Sequence, residues 1–375
     1  MTRKSSTSWR RPPAAAAPLH NNPWETTDVD ALVSISRHHK LNVSTCGPPR
    51  RNPGSPVVLF FSGGGTPCAA YVRFRRLLSS HVRVLFHDRA GYGYSDLGRG
   101  DSSAATGSEV VLTAQQAARE LRDLLQILRV GPPYILVGHS YGCICARAFL
   151  ALLSREQQHR RRVAEEEDDD GDEDEGEDGD GDGLGSVVAG MVLVEAATEL
   201  MYDLFEPSIP PPVFFDITRG VDFGAVTRTR ERSGLTEHEW EHVAAMIRRT
   251  AAATEYEDCR VSARRLLREQ QFANEALGDA PLAVVRAYFS QEFRLMFEAG
   301  EEMGNGTEED SLECRAFLGK LRLHDDELRA SQLRLSSVNK YITALDHGHS
   351  VLITGPEVGV EAVRWVLERW SDMQP

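Results

Sequence analysis

Apolar and polar positions change their period along this chain, and the changes mark out its elements. Leu32 to Ser36 and Leu41 to Thr45 are short alternating runs joined at His38-His39-Lys40, the pattern of a hairpin. Val57-Val58-Leu59-Phe60-Phe61 is apolar throughout and stops at Ser62-Gly63-Gly64-Gly65. A parallel strand buried on both faces reads this way, because neither side meets water. Tyr71, Phe74, Leu77 and Leu78 then share one side of a helix, and Val82 to Phe86 predicts the next strand. Thr113 is placed to cap a helix whose Ala117, Leu121, Leu124, Leu125 and Leu128 form an apolar stripe, ended by Gly131-Pro132-Pro133. Tyr134 to Val137 is another buried strand, a helix follows from about Gly142, and Gly190 to Val194 is a further strand.

Strands alternating with helices predict the α/β class, with a mostly parallel, doubly wound sheet covered on both faces. The alternation lapses over 198–280, which carries helical and loop patterns but no strand pattern. There Thr236-x-x-Glu239 is a capping box, followed by Trp240, Val243, Ala244 and Ile247 at helical spacing. Pro281 to Ala287 resumes the sheet and Lys340 to Leu345 supplies its last strand. Pro356 opens a closing helix with Val363, Val366, Leu367 and Trp370 inward. A helical insertion that returns to the same sheet predicts a lid, placed before the strand Pro281 to Ala287. No internal repeat is found.

Charge changes this picture less than its total suggests. The 375 residues hold 42 Lys+Arg against 56 Asp+Glu, a formal net charge of −14. Glu165 to Asp182 alone contains fourteen of the acids, so the remainder balances 42 acids against 42 bases. A neutral body offers no footprint for nucleic acid. No apolar run approaches the roughly eighteen residues of a membrane span. With 41% hydrophobic residues, 29–372 is expected to form one domain with a large core. The Ser/Pro/Ala-rich residues 1–28 predict a disordered tail. Arg3, Lys4, Arg10 and Arg11 before an acid-free stretch leave a mitochondrial location as the alternative to a cytoplasmic one. The acidic stretch predicts a self-repelling, disordered insertion over 164–184. Glu166, Asp168, Asp170, Gly171 and Glu177 fall near calcium-loop spacing, but Glu173 stands where such a loop has an apolar anchor. Six cysteines without a secretory leader are expected to be reduced thiols, Cys143 and Cys145 among them as core residues. No metal or organic cofactor is implied.

The sharpest chemical signal is Val137-Gly138-His139-Ser140-Tyr141-Gly142, a G-x-S-x-G where a strand gives way to a helix. A serine on so tight a turn holds its hydroxyl above the sheet, and the residues two before and two after must be small to avoid collision. Here the chain resembles the α/β-hydrolase superfamily of the esterase and lipase-like kind, over about residues 31–370. Three further motifs carry the resemblance. Ser62-Gly63-Gly64-Gly65 follows the third strand, where the family has its oxyanion loop. His87-Asp88-Arg89-Ala90-Gly91-Tyr92-Gly93-Tyr94-Ser95 is similar to the family's D-x-R-G-x-G-x-S turn, with Ala90 as an extra residue. Gly348-His349-Ser350 follows the last strand, where the family places its histidine.

A serine hydroxyl needs a base to take its proton during attack, and an imidazole suits neutral pH. Charge developing on the carbonyl oxygen needs prearranged donors, each worth about 3–4 kcal/mol. The backbone N–H groups of Gly64 and Tyr141 are the candidates. Among twelve histidines, His139 adjoins Ser140 but its side chain diverges from the serine on the elbow. His349 fits the spacing to the closing helix better than His347. The acid is favoured at Glu292, the first after the strand ending near Ala287; Glu195, which ends the preceding strand, is the alternative. Asp346 is too near His349 in sequence. The expected activity is hydrolysis of an ester, thioester or amide of a mostly apolar small molecule. A non-catalytic binding protein of the same fold, or an acyltransferase or cofactor-free perhydrolase, are the alternatives. Trp240, Phe214, Phe215 and Met246 would either line a pocket under the lid or fill its own core. Oligomeric state is not legible.

Overall fold

A computed structural model describes residues 22–50, 52, 54–98, 111–168, 187–206 and 208–374. Its eight strands are β1 (Val29–Ser36), β2 (His39–Cys46), β3 (Val57–Phe61), β4 (Arg83–His87), β5 (Tyr134–His139), β6 (Val188–Val194), β7 (Leu282–Tyr288) and β8 (Asn339–Gly348). They lie in one sheet in the order β1-β2-β4-β3-β5-β6-β7-β8. The expected hairpin is β1 with β2, and β2 alone runs against both its neighbours. Every other pairing is parallel.

The continuous apolar runs are explained by cover on both faces. Leu59, Leu136, Leu193 and Val284 pack with residues of the helices Ala114–Leu128 and Tyr141–Asp168. Val58, Phe60, Ile135, Val137, Val192 and Val194 face the other way, with Phe74 of Val72–Leu78 and Val363 of Glu357–Asp372. Thr113 caps its helix by accepting from the Gln116 N–H, and the Thr236–Glu239 capping box is formed. Helices from Glu199–Leu204 to Cys259–Arg268 fill the span expected for the lid.

Several expectations need correction. The tail predicted over 1–28 is ordered from Asn22, which caps the short helix Pro23–Thr26. Fully buried Glu25 bonds Arg50 at 2.9 Å and draws this segment onto the domain. Residues 1–21 lie outside the described part. The insertion predicted over 164–184 begins as helix, since Tyr141–Asp168 runs through its first five residues. Residues 169–186, with most of the calcium-like spacing, are outside the described part. In Glu237–Thr254 the buried positions are Val243, Met246, Thr250 and Ala253, while Ile247 is 40% exposed. A second pair of helices, Phe289–Glu302 and Glu308–Ala330, sits between β7 and β8. Both carry sequence signals, Phe289, Phe293 and Phe297 at helical spacing in the first and the Thr307–Asp310 capping box in the second, which the strand-and-helix pattern passed over.

Candidate active site

Registry places four loops side by side. Phe61 pairs with Gly138, His139 with Val194, and Val194 with Val285, so β3, β5, β6 and β7 end nearly level. Beyond those ends lie Ser62–Gly65, Ser140, Glu195 and the segment starting Phe289; β8 brings His349 alongside through the Tyr288–Gly348 pairing.

Ser140 has φ +53°, a left-handed conformation uncommon for a residue with a side chain. It is held by its own backbone: its N–H donates to Val194 O at 3.0 Å, and its carbonyl accepts from Cys143 N–H at 3.0 Å and Ala197 N–H at 3.1 Å. The flanking glycines are obligatory. A Cβ on Gly142 would stand 2.1 Å from the Phe61 carbonyl oxygen, and one on Gly138 would stand 2.8 Å from Cys143 Cα. Glu195, the residue after β6, is also left-handed at φ +49°. Such conformations cost about 1–3 kcal/mol each and persist where surroundings enforce them.

The two candidate acids are both buried and do different things. Glu195 Oε2 lies 3.2 Å from His349 Nδ1, while its Oε1 accepts from the Ala287 N–H at 2.6 Å. Glu292 instead accepts from the Ser350 N–H at 2.9 Å and from the Ser350 hydroxyl at 3.3 Å. The carboxylate on the imidazole is therefore that of Glu195, contrary to the preference for Glu292. Gly348 explains how Glu292 reaches the loop: a Cβ there would be 2.5 Å from its Oε1. His347 is engaged elsewhere, with its Nδ1 3.1 Å from Arg232 Nη2.

Burial shapes the electrostatics. It raises the carboxyl pKa of Glu195, opposed chiefly by the Arg329 guanidinium, whose Nε is 3.9 Å from Glu195 Oε1. It likewise raises Glu292, with His349 opposing. The His349 imidazole is pushed below its usual value by burial, with Glu292 pulling the other way. It is therefore neutral at pH 7, the form that can accept a proton.

The backbone donors sort themselves by elimination. Gly63 N–H donates to the Tyr71 hydroxyl at 3.2 Å, and Gly65 N–H to the Tyr92 hydroxyl at 2.8 Å. Among the described residues Gly64 N–H has no such acceptor. Tyr141 opens its helix, where the N–H has no acceptor within the helix. A Cβ on Gly64 would lie 3.7 Å from Tyr141 Cβ, so the two elements adjoin.

Sequence reasoning missed the groups behind this loop. Arg89 donates to the carbonyls of Ser62 at 2.7 Å and Gly63 at 3.1 Å, and its Nε bonds Glu257 Oε1 at 2.7 Å. Tyr92 donates to Glu257 Oε2 at 2.7 Å. Arg89 belongs to the glycine-bearing turn His87–Ser95, but nothing around Glu257, between two lid helices, marks it as a partner. Arg329, 1% exposed, donates to the Ala196 carbonyl. Of the lid candidates, Phe214 packs with Ile217, Phe297 and Cys314 in a small separate core, and Phe215 is 63% exposed. Met246 is buried and Trp240 half-buried. Among the described residues no group of three His, Cys, Asp or Glu side chains is placed to hold a metal, and no helix is long and apolar enough to cross a membrane. All six cysteines are free.

Residues 58–362 match the alpha/beta hydrolase family. A protein of Hormonema carpetanum named "Probable transporter efuK" is 28% identical over 359 residues, which cover 94% of this chain and 44% of that one. The chain thus spans less than half the length of that relative. An AB hydrolase superfamily protein of Gibberella zeae is 28% identical over 364 residues, covering 93% of this chain and 99% of the relative. A thermophilic esterase from Thermogutta terrifontis has the same fold, with a TM-score of 0.50 at 15% identity over 92% of this chain and 99% of that one.

Proposed function

Since the chain belongs to the alpha/beta hydrolase family, we propose that it is a serine hydrolase cleaving an ester, thioester or amide of a mostly apolar small molecule through an acyl-enzyme. Ser140 is the nucleophile, His349 the general base, and Glu195 the carboxylate that orients the base. With His349 Nδ1 given to Glu195, Nε2 is left to take the Ser140 proton as Oγ attacks the substrate carbonyl. The oxyanion so formed is received by the N–H groups of Gly64 and Tyr141. Collapse of the intermediate breaks the bond to the leaving group, which departs with the proton from His349. Water then enters, gives a proton to His349, and releases the acid with Ser140 restored.

The observation that carries this reading is the contact of buried Glu195 with His349 beside a serine held at φ +53°. A carboxylate there fixes the tautomer and stabilises the imidazolium formed during attack. Labelling of the full chain by a fluorophosphonate probe tests it, with Ser140→Ala as control. Ser140-dependent labelling is expected. Absence of labelling in folded protein would replace the hydrolase with a binding protein of the same fold. Product analysis with competing alcohol and peroxide nucleophiles distinguishes hydrolysis from acyl transfer and perhydrolysis.

A further inference from the structure

His139 is left without a role by the proposed chemistry, yet it is the last residue of β5, next to the nucleophile, and only 4% exposed. Both its ring nitrogens are bonded. Nε2 is 2.8 Å from the His349 backbone carbonyl, and Nδ1 is 2.8 Å from the Tyr71 hydroxyl. A carbonyl only accepts, so Nε2 carries the hydrogen and Nδ1 the lone pair. Tyr71 must then donate to Nδ1, which leaves its oxygen to accept from the Gly63 N–H at 3.2 Å. One directed chain results: Gly63 N–H to Tyr71, Tyr71 O–H to His139 Nδ1, and His139 Nε2–H to the carbonyl of His349.

The surroundings leave this chain little freedom. The His139 ring lies 5.6 Å from the Tyr71 ring and 5.0 Å from the His349 ring. A Cβ on Gly63 would come within 3.0 Å of His139 Nδ1, 3.2 Å of the Tyr71 oxygen and 3.4 Å of Ser140 Cβ. Burial holds the His139 imidazole down to about 3, so neither end of the chain reverses polarity near neutral pH.

We propose that Tyr71 and His139 are positioning residues that tie the oxyanion loop to the loop bearing the base, through an imidazole attached to the nucleophile itself. The proposal rests on the hydrolase reading for its consequence but not for its geometry. Ser140, Gly64 and His349 sit on three loops that no regular pairing connects directly at this point. A displacement of about 1 Å among reacting groups can cost on the order of a hundredfold in rate. Hydrogen bonds arranged head to tail in a dry interior also reinforce one another.

The test uses the full chain, a fluorophosphonate probe and p-nitrophenyl acetate. Tyr71→Phe keeps the ring and removes both of its bonds. It is expected to slow Ser140 labelling and lower kcat by roughly ten- to a hundredfold, with KM within about twofold. His139→Gln, which retains a donor and an acceptor, is expected to label faster than His139→Leu. Nitrogen-15 NMR of histidine-labelled protein, with His139→Gln identifying the resonances, is expected to show the Nε2–H tautomer in the wild type. In Tyr71→Phe the Nδ1 resonance should move to that of an unbonded nitrogen. Wild-type labelling and kcat in a folded Tyr71→Phe protein, or an Nδ1–H tautomer in the wild type, would overturn the proposal. Should Tyr71→Phe not fold, the wild-type tautomer still decides. If wild-type Ser140 itself resists the probe, the hydrolase reading fails, and the tautomer judges the chain separately.

Discussion

Glu195 Oε2 stands 3.2 Å from His349 Nδ1, across 154 positions of sequence, while the better-placed Glu292 on sequence grounds bonds the next residue, Ser350. The two carboxylates therefore hold different partners. Glu195→Gln should lower kcat by about two to four orders of magnitude, because an amide can neither fix the tautomer nor stabilise the imidazolium. Glu292→Gln retains an acceptor for the Ser350 N–H, so its loss should stay near tenfold or below. Steady-state turnover of an activated ester by both variants checks this, and the reverse ranking would restore Glu292 as the orienting acid.

The base should also show in the pH profile. Burial lowers the His349 pKa, so the proton-accepting form persists to more acid pH than for a free imidazole. The acid limb of kcat/KM should fall below ~6.5. Glu195→Gln should move it lower still, since the carboxylate favours the protonated ring. A wild-type limb at or above ~6.5 would show that the neighbouring carboxylates outweigh burial at His349.

Stability should respond to acid through a different imidazole. His87 is 5% exposed, and burial, helped by Arg89, pushes its pKa to about 3. Between ~6.5 and that value the unfolded chain binds a proton that the folded chain refuses. Its contribution is thus complete above the unfolded value and is lost as pH falls through this window. His87→Phe should flatten the decline of Tm over that range. Parallel Tm curves for variant and wild type would exclude His87 as a source of the slope.

Two glycines should behave oppositely. Gly142→Ala drives a methyl against the Phe61 carbonyl oxygen and should cost about 1–3 kcal/mol or more. Gly319 lies inside Glu308–Ala330, and a Cβ there meets nothing within 4 Å. Gly319→Ala should add about 0.5–1 kcal/mol through helix propensity. Urea denaturation of both variants makes the comparison.

The lid contact behind the oxyanion loop offers a further check. Arg89 and Glu257 are both buried and bonded at 2.7 Å. Glu257→Ala leaves the guanidinium buried with its ionic partner removed, so a loss of about 3–5 kcal/mol is expected. Arg89→Lys should not substitute, because an ammonium cannot span two carbonyls and a carboxylate as the planar fork does. Denaturation midpoints and Ser140 labelling rates together test whether the loop depends on this pair.

What the sequence by itself determined was local. The apolar run Val57–Phe61 announced a strand covered on both sides, and it is one. Gly138 and Gly142 announced a serine on a tight turn; the clash at Gly138 is with backbone of its own turn, whereas the one at Gly142 is with the Phe61 carbonyl of a neighbouring strand. The succession of strands along the chain followed from period, whereas their order in the sheet, with β4 between β2 and β3, did not. Tertiary structure decided the partners. Glu195 and Glu292 both follow strands, and only the descent of the His349 loop, with Glu292 clasped against Gly348, selects which one meets the imidazole. Tyr71 looked like one residue of an apolar helix face, and Glu257 like one charge among many. Their hydroxyl and carboxylate acquire meaning only once burial removes water and each polar atom must find its partner within the protein.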